Sequence, residues 1–163
     1  MFLVEKSPAF LYNNGSFIDT NTEDIIMANV KELLKAEENG SLSFGDYSLT
    51  QKTKLDEFSF EGDVYKVKTF QEITRLEKNG GVVYESVPGS AVHGYKETER
   101  QITFETEAAD DLQITLEVEP EKEYKVFVND TNIGKLKSSL GGKISFSIEL
   151  DAGETAKVQV VKL

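Results

Sequence analysis

His93 is the only imidazole in the chain, and it stands in Ser90-Ala91-Val92-His93-Gly94-Tyr95. A Ser-His-Asp arrangement needs a general base, so this residue alone would have to supply it. No G-x-S-x-G turn is present to present a nucleophile beside it. One histidine and no cysteine also fall short of a zinc or iron ligand set, and the missing thiols remove thiolate catalysis and disulfides. The 29 carboxylates guarantee pairs, so pairing by itself identifies no glycoside hydrolase. Asn129-Asp130-Thr131-Asn132 offers oxygen ligands but lacks the D-x-[DN]-x-[DN]-G frame of a calcium loop, and it reads as a β-turn. Phosphate cradles of the Walker A and G-x-G-x-x-G kinds are absent. Lys135, Lys137 and Lys143 around Gly141-Gly142 read as a lysine-bearing hairpin. On these grounds no catalytic residue, metal ligand or cofactor is assigned.

One segment differs from the rest by composition. Asn79 to Tyr95 carries a single charge, Glu85, in a chain that is 29% charged. Tyr84, His93 and Tyr95 lie among Pro88, Gly89, Ser90, Ala91 and Gly94, a mixture that suits either a stacking surface or a buried hairpin. These three residues are the candidate binding residues.

The elements that must position them follow from hydrophobic spacing. Ile26, Val30, Leu33 and Leu34 fall on one helical stripe, Thr20 and Glu23 stand at capping-box spacing, and Asn39-Gly40 supplies a stop. The expectation is an amphipathic helix over 23–40, preceded by an arm over 1–22. Because an isolated helix of this length is marginal in water, its stripe needs cover, and the four apolar residues are candidates for self-association. From Ser41 onward the pattern changes to period two. Ile102 and Phe104, then Leu112, Ile114 and Leu116, then Ile144, Phe146 and Ile148 alternate with polar residues. Weaker strands are expected near 42–49, 55–60, 63–70, 72–77, 82–87, 124–128 and 156–162. Turn signals such as Glu61-Gly62-Asp63 and Asn79-Gly80-Gly81 separate them. Residues 41–163 are therefore expected to form an all-β, antiparallel sandwich of about eight to ten strands.

Charge narrows the partners. The 163 residues carry a net charge of −11, which argues against nucleic acid and anionic membrane, since both need clustered Lys and Arg. No apolar run reaches the ~20 residues of a membrane span, and Glu5, Lys6 and Pro8 interrupt the apolar start, so the cytoplasm is the expected location. Glu97 to Glu123 has a net of −8 and Lys125 to Lys143 a net of +3. If these segments neighbour one another, cross-strand Glu–Lys contacts follow.

Several segments resemble a group of short Firmicutes proteins catalogued as "endosialidase" or its beta chain. They are Gly40-Ser-Leu-Ser-Phe-Gly-Asp-Tyr47, Lys52-Thr-Lys-Leu55, Val64-Tyr-Lys-Val-Lys-Thr-Phe70, Tyr84-Glu-Ser-Val-Pro-Gly89 and Gly134-Lys-Leu-Lys followed by Leu140-Gly-Gly-Lys143. The likeness spans roughly Met27 to the C-terminus, so residues 1–26 are expected to be an extension or an upstream start. It implies a small cytoplasmic β family. Sialidases hold the substrate carboxylate with three arginines, whereas this chain has only Arg75 and Arg100, so the likeness does not extend to sialic-acid chemistry. The expected function is a non-enzymatic binding or assembly module, self-associating as a homo-oligomer or docking on a protein partner. A carbohydrate-binding or carbohydrate-active protein is one alternative, and an acidic inhibitor or decoy of a basic protein is the other.

Overall fold

The computed structural model describes residues 32–163. Thirteen strands fill this span: β1 (Leu34–Ala36), β2 (Leu42–Phe44), β3 (Thr53–Phe60), β4 (Asp63–Phe70), β5 (Ile73–Lys78), β6 (Gly81–Val87), β7 (Ser90–Glu97), β8 (Gln101–Ala108), β9 (Leu112–Glu117), β10 (Glu123–Val128), β11 (Thr131–Lys137), β12 (Lys143–Ile148) and β13 (Thr155–Lys162). They build two antiparallel sheets. Sheet A has the order β1-β2-β7-β8-β13-β10-β11, and sheet B the order β12-β9-β6-β5-β4-β3.

The alternation that marks the strands also explains their layering. Leu112, Ile114 and Leu116 of β9 and Ile144, Phe146 and Ile148 of β12 turn inward from sheet B. Ile102 and Phe104 of β8, Val158 and Val160 of β13, and Tyr124 and Val126 of β10 turn inward from sheet A. All belong to a single apolar cluster, so the two sheets share one core in a sandwich-like arrangement.

Turn chemistry sets the registers. Glu61-Gly62, Asn79-Gly80 and Asn129-Asp130 all take positive φ at both positions, the left-handed pair that a two-residue hairpin requires. They close β3–β4, β5–β6 and β10–β11. Between β6 and β7 the chain leaves sheet B for sheet A. There Gly89 donates its N–H to the carbonyl of Gln71 at 3.0 Å. A Cβ at this position would collide with the carbonyl oxygen of Phe70, so only glycine fits.

The helix expected over 23–40 does not extend into the described residues. Leu34 lies in β1 opposite Phe44 and is buried against the core. Leu33 has φ of 70°, a left-handed conformation that ends any right-handed helix at that residue. Asn39-Gly40 turns a hairpin instead of stopping a helix. Glu37 N–H donates to the carbonyl of Ser41, and the Asn39 side-chain oxygen accepts from Ser41 N–H and Oγ. The rest of the expected helix, with Ile26 and Val30, and the expected arm over 1–22 lie outside the described residues. The expected segment 42–49 is a strand only over 42–44, because Gly45 at φ of 98° turns the chain away.

Two glycines should separate steric from conformational cost. Gly89→Ala is expected to destabilise by about 3 kcal/mol or more, because the backbone itself must shift. Gly80→Ala, in open space at a positive φ, is expected to cost about 1–2 kcal/mol. Urea unfolding of both variants measures the difference.

Candidate binding surfaces

Tyr84 and Tyr95 are not at the surface. Tyr84 on β6 is 0% exposed and Tyr95 on β7 is 5% exposed. Their rings meet Phe44 and Phe104 edge-on or tilted, at centroid distances of 5.3 Å for Phe44–Tyr84 and 6.0 Å for Tyr95–Phe104. Neither ring offers a face to solvent, which corrects the expectation that they stack on a ligand. They form the aromatic centre of the core, bridging the two sheets.

The two hydroxyls of this pair have opposite surroundings. Tyr84 OH is 2.9 Å from Ser90 Oγ, and Ser90 Oγ is 2.7 Å from Ser86 Oγ. Ser86 Oγ donates to the Pro88 carbonyl, Ser90 N–H donates to Thr74 Oγ1, and Thr74 Oγ1 is 2.8 Å from Thr69 Oγ1. Tyr95 OH, buried as deeply, has no hydrogen-bond partner among the described residues. Burial pushes the Tyr84 phenol up, against the pull of its bonds to Ser90, Thr106 and Ser86. Burial pushes Tyr95 well above the ordinary range, aided by Glu97 and Tyr65.

His93 does reach the outside. It is half-buried on the outer side of β7, opposite Glu105 of β8 in register. Both line a groove of about 840 Å³ that runs beneath the β1–β2 hairpin and also touches Lys35, Glu37 and Lys157. The hairpin is pinned there by Ser43 Oγ, which donates to Glu37 at 2.6 Å and accepts from Gly94 N–H at 3.2 Å. A second cavity, of about 450 Å³, opens between the sheets on the other side of the same hairpin, and Tyr95 lines it. Among the described residues no three of His, Asp and Glu come together to hold a metal ion. Leu33 packs half-buried against the core and Leu34 is within it, so neither presents an apolar stripe for self-association.

The outer face of sheet B carries a feature that the charge count concealed. Lys54 of β3, Lys68 of β4 and Arg75 of β5 stand opposite one another in register, followed by Glu85 of β6. Arg75 is clasped by Glu85 at 2.6 Å. Among the described residues neither Lys54 nor Lys68 has an acid within ion-pair distance. The Lys68 ammonium is held below its usual range by desolvation and then by Arg75, Lys52, Lys54 and Lys66. The signal was present in the sequence as lysines two apart, 52 and 54, then 66 and 68, the second pair on one face of β4 and Lys52 just before β3. The Glu61-Gly62 turn is what brings them side by side.

The acidic run finds some partners within the fold. Glu117 faces Lys143 across β9–β12, and Lys135 lies 3.7 Å from Glu123 across β10–β11. The second is a Glu–Lys contact of the kind expected from the adjoining charged segments, whereas the Lys143 ammonium donates to the Val82 carbonyl at 2.6 Å.

The tyrosines yield two expectations. Tyr84→Phe should cost about 1–3 kcal/mol, since it strips a partner from buried serines, while Tyr95→Phe should be neutral or stabilising. Urea unfolding of the two variants gives both signs. Tyr47, beside Glu107, and Tyr65, near Asp63 and Glu97, are each pushed up to about 12, by burial first and the carboxylates second. Their unfolded value is about 10, so the unfolded chain loses these protons first. Stability should hold below about pH 10 and fall as pH rises towards 12, visible as a drop in Tm across that interval. No protein-family model matches the chain, and neither a curated protein nor a solved structure matches it.

Proposed function

We propose that this chain is a non-catalytic assembly module, a β-sandwich that associates with further copies of itself through the cationic face of β3–β5. The observation that carries this reading is the row Lys54–Lys68–Arg75, three cations in register on adjacent strands of a chain whose net charge is −11. Like charges placed directly opposite destabilise a sheet, so the row is a liability in the isolated chain and an asset against an acidic surface. Another copy offers such a surface. Glu105 and Glu107 project outward from β8, and Asp110 and Asp111 occupy the turn after it. A contact from one face of a copy to a different face of the next is heterologous, and it closes into a ring or continues as a chain of copies.

The same placement leaves sialic-acid chemistry outside the proposal. Arg75 is occupied by Glu85 on the outer face of sheet B, and Arg100 lies in the turn between β7 and β8. Two guanidinium groups so placed do not form a carboxylate clamp.

Light scattering on the purified chain tests the proposal. The mass should exceed that of one chain at low ionic strength and fall to it near 1 M salt, where the screening length is about 3 Å. The double variant Lys54→Glu, Lys68→Glu should stay at the mass of one chain throughout. A single-chain mass for the unaltered protein at low salt and high concentration would overturn the reading.

A further inference from the structure

We propose that β12 is a pairing edge, which takes the β12 of a second copy as its antiparallel partner and so joins sheet B of one copy to sheet B of the next. This contact is separate from the cationic face and does not rest on it.

The edges of the two sheets are not alike. An edge strand presents a row of unpaired N–H and C=O groups, which proteins blunt with short strands, bulges and lysines. At the ends of sheet A, β1 has only three residues, and β11 is bulged opposite Val126/Phe127 and carries Lys135 and Lys137. In sheet B, β3 is bulged between Leu55 and Phe58, with Glu57 at φ of 58°. β12 pairs with β9 over its whole length without a shift and contains no glycine or proline. Its one lysine, Lys143, stands at its first position and sends its ammonium to the Val82 carbonyl of β6, two strands in from the edge. β12 is the edge left open.

The hydrogen bonds show which groups it offers. Val118 N–H donates to the Gly142 carbonyl at 2.7 Å, which fixes the alternation along β12. Ile144, Phe146 and Ile148 therefore direct their backbone groups to β9, while Lys143, Ser145 and Ser147 direct theirs outward. Ser139 takes up both groups of Lys143, its N–H donating to the carbonyl at 3.0 Å and its Oγ accepting from the N–H at 3.1 Å. Among the described residues no such bond meets Ser145 or Ser147 on that side.

A second β12 laid antiparallel, with Ser145 opposite Ser147, matches these groups, since each such pair exchanges two backbone bonds. The same register places Phe146 opposite Phe146 and Ile144 opposite Ile148 on the buried side, and Lys143 opposite Glu149 on the exposed side. Glu149 is exposed, and among the described residues no lysine or arginine lies within ion-pair distance of it. The segment thus runs from a cation to an acid, so an antiparallel copy brings opposite signs together, and this names a second copy as the occupant. Centring the pair on Ser145 would need the Lys143 groups that Ser139 holds, and centring it on Ser147 would run past Ile148, where β12 ends. Leu140, 81% exposed in the turn that leads into β12, gains cover from the far end of the second strand. The contact is small, well under the ~1,200–2,000 Å² of a standard interface. Its dissociation constant is expected near ~1 mM, so masses read by light scattering report the cationic face.

Disulfide trapping reads so weak a contact, and the chain has no cysteine of its own. Ser145→Cys and Ser147→Cys proteins are mixed and oxidised, with Ser59→Cys on β3 mixed with Ser147→Cys as the collision background. Residues opposite one another lie about 5.5 Å apart at Cα, within disulfide reach, whereas 145–145 and 147–147 are diagonal and beyond it. The mixed 145–147 dimer should exceed the background and both like-with-like dimers by about fivefold or more. Its yield should not fall at 1 M salt, and it should persist when Lys54→Glu and Lys68→Glu are added to both proteins. A mixed yield at background, or like-with-like yields equal to it, would overturn the pairing. A yield lost at 1 M salt or in the Lys54→Glu, Lys68→Glu background would assign the encounter to the cationic face and overturn it too. A single-chain mass at low salt beside an undiminished trap would leave this pairing standing and remove only the cationic contact.

Discussion

A relay of hydroxyl groups holds the corner at which β6 leaves one sheet and β7 enters the other: Thr69 Oγ1 meets Thr74 Oγ1, Thr74 Oγ1 meets the Ser90 backbone, and Ser90 Oγ meets both Ser86 Oγ and the Tyr84 hydroxyl. Placing hydroxyls inside an apolar core is unfavourable unless every one of them is matched, and here each has its partner. The relay also joins Ser90 N–H and its carbonyl to the same threonine oxygen, so the backbone of the crossing is matched along with the side chains. Around it stand the four rings of Phe44, Tyr84, Tyr95 and Phe104. The arrangement has a functional consequence. The two serines of the least charged stretch, Ser86 and Ser90, the first place to seek a nucleophile, are consumed in holding two sheets together.

With the interior committed to structure, what remains for function lies at the surface and at the mouth between the sheets. The cationic row on sheet B and the carboxylate-lined cavity are opposites in charge and in shape. The row is an open face suited to another macromolecular surface. The cavity is a recess between the sheets, and the unmatched Tyr95 hydroxyl is buried. Their separation follows from the topology, because β3–β5 present Lys54, Lys68 and Arg75 outward while Phe60, Tyr65 and Lys78 of the same strands face the recess. Alternation along a strand thus lets one three-stranded segment serve two surfaces.

Much of this fold was legible because inward and outward residues alternate so regularly in β8, β9 and β12. Three strands escaped for identifiable reasons. β7 begins with Ser90 and Ala91 and is bulged between His93 and Lys96, so its period is interrupted. β11 is an edge strand with a register shift opposite Val126/Phe127 and Gly134 at φ of 148°, and it buries too little to show a pattern. β1 lies where Ile26, Val30, Leu33 and Leu34 match a helix, and Asn39-Gly40 serves a helix stop or a hairpin turn equally well. Pairing with β2, a tertiary contact, decides between them. The binding surfaces were less legible. Paired lysines two apart can be seen in the sequence, but their alignment needs the registers of three strands. The exposure of Tyr84 and Tyr95 could not be read from a stretch whose composition suits surface and core alike.

Hydrogen–deuterium exchange across the 53–78 segment, compared at low and high salt in concentrated solution, addresses the central claim most directly. The account predicts that amides of the edge strand β3 and its neighbour β4 exchange more slowly at low salt, with little change in β9–β12. Exchange in β3 and β4 that is indifferent to salt, or protection that appears elsewhere instead, would contradict it.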